Sequence, residues 1–132
     1  MLRFCTSLGA AIAVAAVALA PSSPVAHAAP GTDDSGFVDS AARCLWGQRA
    51  AAIGRTARSE VVVCATGDGG YEYIGVRVSD GAATRATALL TDTGFVAQTD
   101  SARYTVSPTR LEVFSDGRMI YGDNWIDYQK MD

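Results

Sequence analysis

The sequence predicts a mainly β fold: a small antiparallel meander, arranged as a sandwich or an open barrel, with room for one short helix near its start and one disulfide. Three observations carry this reading. Beyond Ala57 the chain breaks into short runs rich in β-branched and aromatic residues. Asp-Gly and related turn signals separate those runs at close intervals. One run, Val61-Val62-Val63-Cys64-Ala65, is apolar without interruption, as suits a strand covered on both faces.

The first element stands apart from that fold. Met1-Leu2-Arg3 is a short basic start, and the apolar run over 8–20 falls short of the roughly 20 residues that a membrane-spanning helix needs. Pro21-Ser22-Ser23-Pro24 ends the run, and Ala26-His27-Ala28 supplies the small-x-small pattern of a signal-peptidase site. Residues 1–28 therefore read as an export signal, which makes the protein secreted or envelope-associated with no transmembrane segment after cleavage. Cys5 precedes the apolar run, so it is not a lipidated cysteine. Residues 29–40 hold only Phe37 and Val38 as large apolar side chains and read as a flexible leader, leaving 41–132 as a single β-rich domain. Over 40–53 the small residues suit a short helix, weakened by Gly47 and ended by Gly54, with Cys44 and Trp46 as its large candidates for burial.

The strands follow in order. The run 59–66 is the central strand, and Gly67-Asp68-Gly69-Gly70 turns the chain into 71–79, where Ile74, Val76 and Val78 alternate with Tyr71, Tyr73, Gly75 and Arg77. These two runs form a hairpin. Later runs lie at 87–90, 95–99, 103–107, 110–114, 118–121 and 125–128. Turns are expected at Asp80-Gly81, Asp92-Thr93-Gly94, Asp100-Ser101, Pro108, Asp116-Gly117 and Gly122-Asp123-Asn124.

Export would leave two cysteines, Cys44 and Cys64, in an oxidising space, and one disulfide is the natural reading. On the chain-entropy account, closing that loop stabilises the fold by about 3 kcal/mol. The alternative is a pair of buried free thiols. A metal site is a poor fit, because the only histidine, His27, lies within the signal and two cysteines alone make a weak cage.

The same absence bears on catalysis. Nucleophilic triads and histidine acid–base chemistry have no base, and the one lysine, Lys130, lies two residues from the end of the sequence. Glu60, Glu72 and Glu112 could in principle serve a carboxylate-based hydrolase, but no distinguishing pair stands out. The Asp-Gly clusters lack calcium-loop spacing, and Gly67-Asp68-Gly69-Gly70 lacks the lysine of a phosphate loop. No cofactor is expected. The fourteen acidic residues all lie beyond the signal and outnumber the basic ones, which argues against nucleic acid or an anionic membrane as partner.

The most suggestive binding feature is Tyr71, Tyr73 and Arg77 on one face of a strand, where two rings and a guanidinium in a row can grip a sugar, a peptide or another protein. If Ile74, Val76 and Val78 face the core, that set points outward as a solvent-facing ladder. The alternative is that the tyrosines pack beneath a second layer, since a sandwich must cover one face of a central strand.

The segments Gly54-Arg55-Thr56-Ala57-Arg58-Ser59, Tyr71-Glu72-Tyr73-Ile74-Gly75-Val76-Arg77-Val78-Ser79-Asp80-Gly81 and Tyr104-Thr105-Val106-Ser107-Pro108 resemble a small exported β-rich domain of mycobacteria and related actinobacteria. The resemblance spans about 53–128 and implies source and export, with no activity or site residues attached. A strong excess of arginine over lysine, with abundant alanine, suits a genome rich in G and C. Together these readings point to a secreted, non-enzymatic binding or accessory module whose partner is an unknown protein or envelope component. A small secreted inhibitor or modulator of another protein is the competing class, and a carboxylate hydrolase is third.

Overall fold

A computed structural model describes residues 31–131; the predicted export signal at 1–28 lies outside them. Strands β1 (Thr32–Asp33) and β2 (Gly36–Phe37) form a small ribbon. The remaining strands make one antiparallel sheet: β3 (Arg49–Arg55), β4 (Ser59–Ala65), β5 (Tyr71–Arg77), β6 (Ala83–Thr91), β7 (Gly94–Gln98), β8 (Arg103–Val106), β9 (Arg110–Ser115), β10 (Arg118–Asn124) and β11 (Asp127–Lys130). From β3 to β10 each strand pairs with the next, the meander that the closely spaced turns predict. The turn chemistry is specific. Asp116 and Gly117 take φ of 53° and 73°, so the two-residue loop joining β9 to β10 is the left-handed kind whose twist matches the strands it connects.

The expected turn at Gly122-Asp123-Asn124 is absent. Those residues continue β10, pairing with Glu112, Leu111 and Arg110, and the chain changes partner only after them. Trp125 donates its backbone N–H to Thr109 on one side of the sheet, and Ile126 donates to Arg55 on the other. Strand β11 then pairs with β3, the opposite edge of the sheet from β10. The last two strands are thus almost one strand shared between both edges, and the sheet curls into an open barrel. Register shifts at Ala50/Ala52 and Met119/Tyr121 lie on the two strands that flank this seam, where bulges add the bend that curling needs.

The sheet has two apolar faces. Its concave interior holds Val61, Val63, Tyr73, Ala86, Ala88, Phe95, Ala97, Val106, Leu111 and Val113, with Tyr71, Tyr104, Tyr121, Trp125 and Tyr128 packed against them. On the convex side of β3–β5, Ile53, Val62, Cys64, Ile74 and Val76 are covered by Phe37, Ala42 and Cys44 from the N-terminal segment. The double-sided burial expected of the valine run is therefore real: alternate residues of β4 face the two cores. Cys44 and Cys64 are joined, with Cα atoms 5.6 Å apart, and tie the covering segment to β4.

That covering layer corrects two expectations. Residues 31–40 are not a loose leader, since Phe37 is buried and Arg43 reaches back to hold Asp33 through two contacts of 3.1 Å. Among the described residues there is no helix over 40–53. Gly47 at φ 86° sits in a tight turn closed by Gln48 N–H on the Leu45 carbonyl, and Ala50 to Ala52 lie in β3. Alanine favours helix intrinsically, but here β4 on one side and β11 on the other supply ladder partners that outweigh propensity.

Candidate binding cavity

One end of the barrel, bounded by the β3–β4 and β5–β6 turns, opens into a cavity of about 520 Å³. Its geometry follows from where small residues fall on inward-facing positions. Gly54 on β3 and Gly75 on β5 both lie opposite Val61. A side chain at Gly54 would strike the six-membered ring of Trp125, with a Cβ only 2.6 Å from Cζ3, so this glycine makes room for the indole. The indole N–H in turn donates to the Ser107 carbonyl at 2.6 Å. Gly75 does the same for Tyr73, whose ring lies back along its own strand over the glycine, where a Cβ would come within 2.9 Å of Cε1 and Cζ.

Tyr73 meets Tyr104 from β8, with ring centroids 4.8 Å apart and planes inclined by 22°. The strands between them carry alanines inward, Ala86 beside Tyr73 and Ala97 beside Tyr104, which leaves the rings space to stack. Deeper in the barrel Tyr71 packs edge-on against Phe95 at 5.0 Å. Tyr121 on β10, paired with Val113, completes the aromatic wall.

Arg58, from the β3–β4 turn, lies over the Tyr121 ring at 4.4 Å and grips Asp123 through Nε at 2.9 Å and Nη2 at 2.6 Å. This fork bolts the turn to the strand at the seam. It holds the Asp123 carboxyl below the usual carboxylate range, helped by the Thr56 hydroxyl. Thr56 Oγ1 also accepts the backbone N–H groups of Arg58 and Ser59 at 3.2 and 3.0 Å, which fixes the turn that carries the arginine. Arg77 stands at the rim, mostly exposed, with Nη1 on Asp80 at 3.0 Å. Burial pushes the Tyr73 phenol far up from its ordinary value, and the neighbouring Tyr121 and Tyr104 hydroxyls add to that. None of the three phenol hydroxyls has a hydrogen-bond partner among the described residues.

The predicted face of Tyr71, Tyr73 and Arg77 is therefore one face, but it is not a solvent-facing ladder. Tyr73 is 2 % exposed, Tyr71 is partly buried beside Phe95, and only Arg77 is open. The reason is the N-terminal layer: it covers Ile74 and Val76 from outside, so the tyrosines form the inner wall, while Val78 at the end of the run is exposed. Tyr104, Tyr121 and Arg58 carry no sequence signal that joins them to this face. Tyr104 shares a strand face with Val106, but joining it to Tyr73 requires the curl of the sheet.

A second hollow of about 400 Å³ lies at the other end, among Leu90, Phe95, Pro108, Tyr128 and Lys130. Among the described residues no three His, Cys, Asp or Glu side chains converge as a metal cage would require. No known protein family, curated protein or solved structure matches this chain.

Proposed function

We propose that the protein is a secreted, non-enzymatic binding module of the cell envelope or medium, and that the open end of its barrel takes up a small amphipathic molecule. The observation that supports this best is the cavity: its volume lies in the range of small-molecule sites, its walls are mainly apolar and aromatic, and the three phenol hydroxyls on its lining have no partner among the described residues. Glu60, Glu72 and Glu112 do not line it, and Glu72 is held by Arg85 at 2.7 Å, so the carboxylates that a hydrolase would use are elsewhere. The export half of the proposal rests on the Ala26-His27-Ala28 pattern, the disulfide and the resemblance to exported actinobacterial domains.

The test is titration with phenylnaphthylamine, an uncharged fluorophore. A saturable rise in emission, lost when Ala102→Trp fills the mouth, is the expected result; no saturable binding would contradict the proposal. N-terminal sequencing of protein from culture fluid should begin at Ala29, whereas a persistent full-length chain in the membrane fraction would contradict export.

One observation favours the competing reading of a protein modulator. Leu45 and Trp46 project from a turn next to the disulfide, and the Trp46 side chain is fully exposed, the kind of residue that anchors protein interfaces. A pull-down from envelope and culture filtrate separates the two. Recovery of lipid or polysaccharide fits the binding module, and recovery of one protease or receptor fits the modulator.

A further inference from the structure

The polar groups around the mouth are guanidinium and hydroxyl groups, all of which can donate a hydrogen bond. Arg58, Arg77, Tyr73, Tyr104 and Tyr121 line it with Ser59, Ser79 and Thr84, and no carboxylate among the described residues does. The two guanidinium groups each keep donors in reserve. Arg58 spends Nε and Nη2 on Asp123, and Arg77 spends Nη1 on Asp80, which leaves Nη1 of the first and Nε and Nη2 of the second uncommitted. A cavity with an aromatic floor and a rim of unused donors asks for a ligand that is apolar at one end and accepts hydrogen bonds at the other.

Resting on the binding-module reading, we infer that the cavity selects amphipathic anions: an aromatic or alkyl body lies against the Tyr73–Tyr104 stack, and a carboxylate, sulfonate or phosphate head sits at the rim on Arg77, with Arg58 and the Tyr121 hydroxyl beside it. Tyr73 and Tyr104 offer a flat surface for the body. Arg77 suits the head because its fork matches an oxyanion. Its present partner Asp80 is three residues along the same turn and more than half exposed, so this pair yields readily to a competing anion. Arg58 is the less mobile of the two, since its bond to Asp123 closes the seam; it contributes a fixed donor and does not leave its partner. A positively charged ligand would face the two guanidinium groups, and the carboxylates that could receive it, Asp80 and Asp123, are already engaged by Arg77 and Arg58, so only the ring faces remain for it.

The experiment compares phenylnaphthylamine with anilinonaphthalene sulfonate, the same rings carrying an anionic group. The purified protein should bind the sulfonate at least about tenfold more tightly, the size of effect that one charge-assisted hydrogen bond supplies. Arg77→Gln should weaken binding of the sulfonate at least about tenfold more than it weakens binding of phenylnaphthylamine, so that the preference disappears, and Ala102→Trp should abolish binding of both. Arg77 has no role in the seam, so folding of the Arg77→Gln variant is checked simply by an unchanged Tm. If phenylnaphthylamine binds and the sulfonate binds no more tightly, or if Arg77→Gln weakens both alike, the anion inference falls and the binding module stands. If neither dye binds, or if binding survives Ala102→Trp, both fall together.

Discussion

Replacing Tyr73 separates an inner wall from an outer ladder, and the structure sets the magnitude. The ring is 2 % exposed, stacks on Tyr104 at 4.8 Å and lies over Gly75. Tyr73→Ala removes a fully buried aromatic and extends the cavity beneath it, which should cost about 3–5 kcal/mol. Of that, the stack accounts for about 0.5–1.5 kcal/mol. For a domain of this size the midpoint should then fall by more than about 12 °C. Tyr73→Phe should behave quite differently. The hydroxyl has no partner among the described residues, so its loss should change stability by less than about 0.5 kcal/mol. Urea unfolding with the disulfide intact measures both, provided the slope m is unchanged. A Tyr73→Ala variant within about 0.5 kcal/mol of wild type would match a surface substitution and refute the interior placement. A Tyr73→Phe variant losing more than about 1 kcal/mol would show that the hydroxyl is bonded after all.

Cys44→Ser or Cys64→Ser should lower stability by about 2–5 kcal/mol, because the N-terminal layer is then held to β4 by packing alone; intact mass after alkylation without reductant should show no alkyl group on the native protein. Gly54→Ala should cost about 1–3 kcal/mol through the collision with Trp125, and in a Trp46→Phe background the remaining emission should shift to the red as the indole is displaced. The Asp123 carboxyl lies below its ordinary value of 3.8, chiefly because Arg58 donates to it. Its contribution to stability is therefore complete above the unfolded pKa and is lost as pH falls through the lower folded one. Acid unfolding of Asp123→Asn should accordingly be less steep below about pH 4 than that of the wild type.

The strands beyond Ala57 were legible because each carries its own local signal: alternation in 71–79, β-branching in 59–66, Asp-Gly between runs. Strand β3 was not, since Ala50-Ala51-Ala52 has no β signal and is extended only by its two neighbours. The same holds for residues 31–40, where Phe37, the one large side chain buried there, is too little to announce a layer. Gly122-Asp123-Asn124 has the composition of a turn but is kept straight by pairing with β9, and Asp123 is engaged by Arg58. The tyrosine face was correctly grouped by its period of two. Which way it faced depended on what covered Ile74 and Val76, a question of long-range contacts that periodicity in one strand does not answer. The cavity is a product of those same contacts: small residues at Gly54, Gly75, Ala86 and Ala97 become meaningful only once the sheet curls and brings Tyr73 and Tyr104 together.

The most direct test of the cavity as the ligand site is a crystal structure of the protein grown with phenylnaphthylamine. The naphthyl rings should lie against Tyr73 and Tyr104 beside Tyr121, at the end of the barrel bounded by the β3–β4 and β5–β6 turns. Density confined to the opposite end, among Leu90, Phe95 and Tyr128, or a mouth already filled by the protein's own side chains, would contradict it.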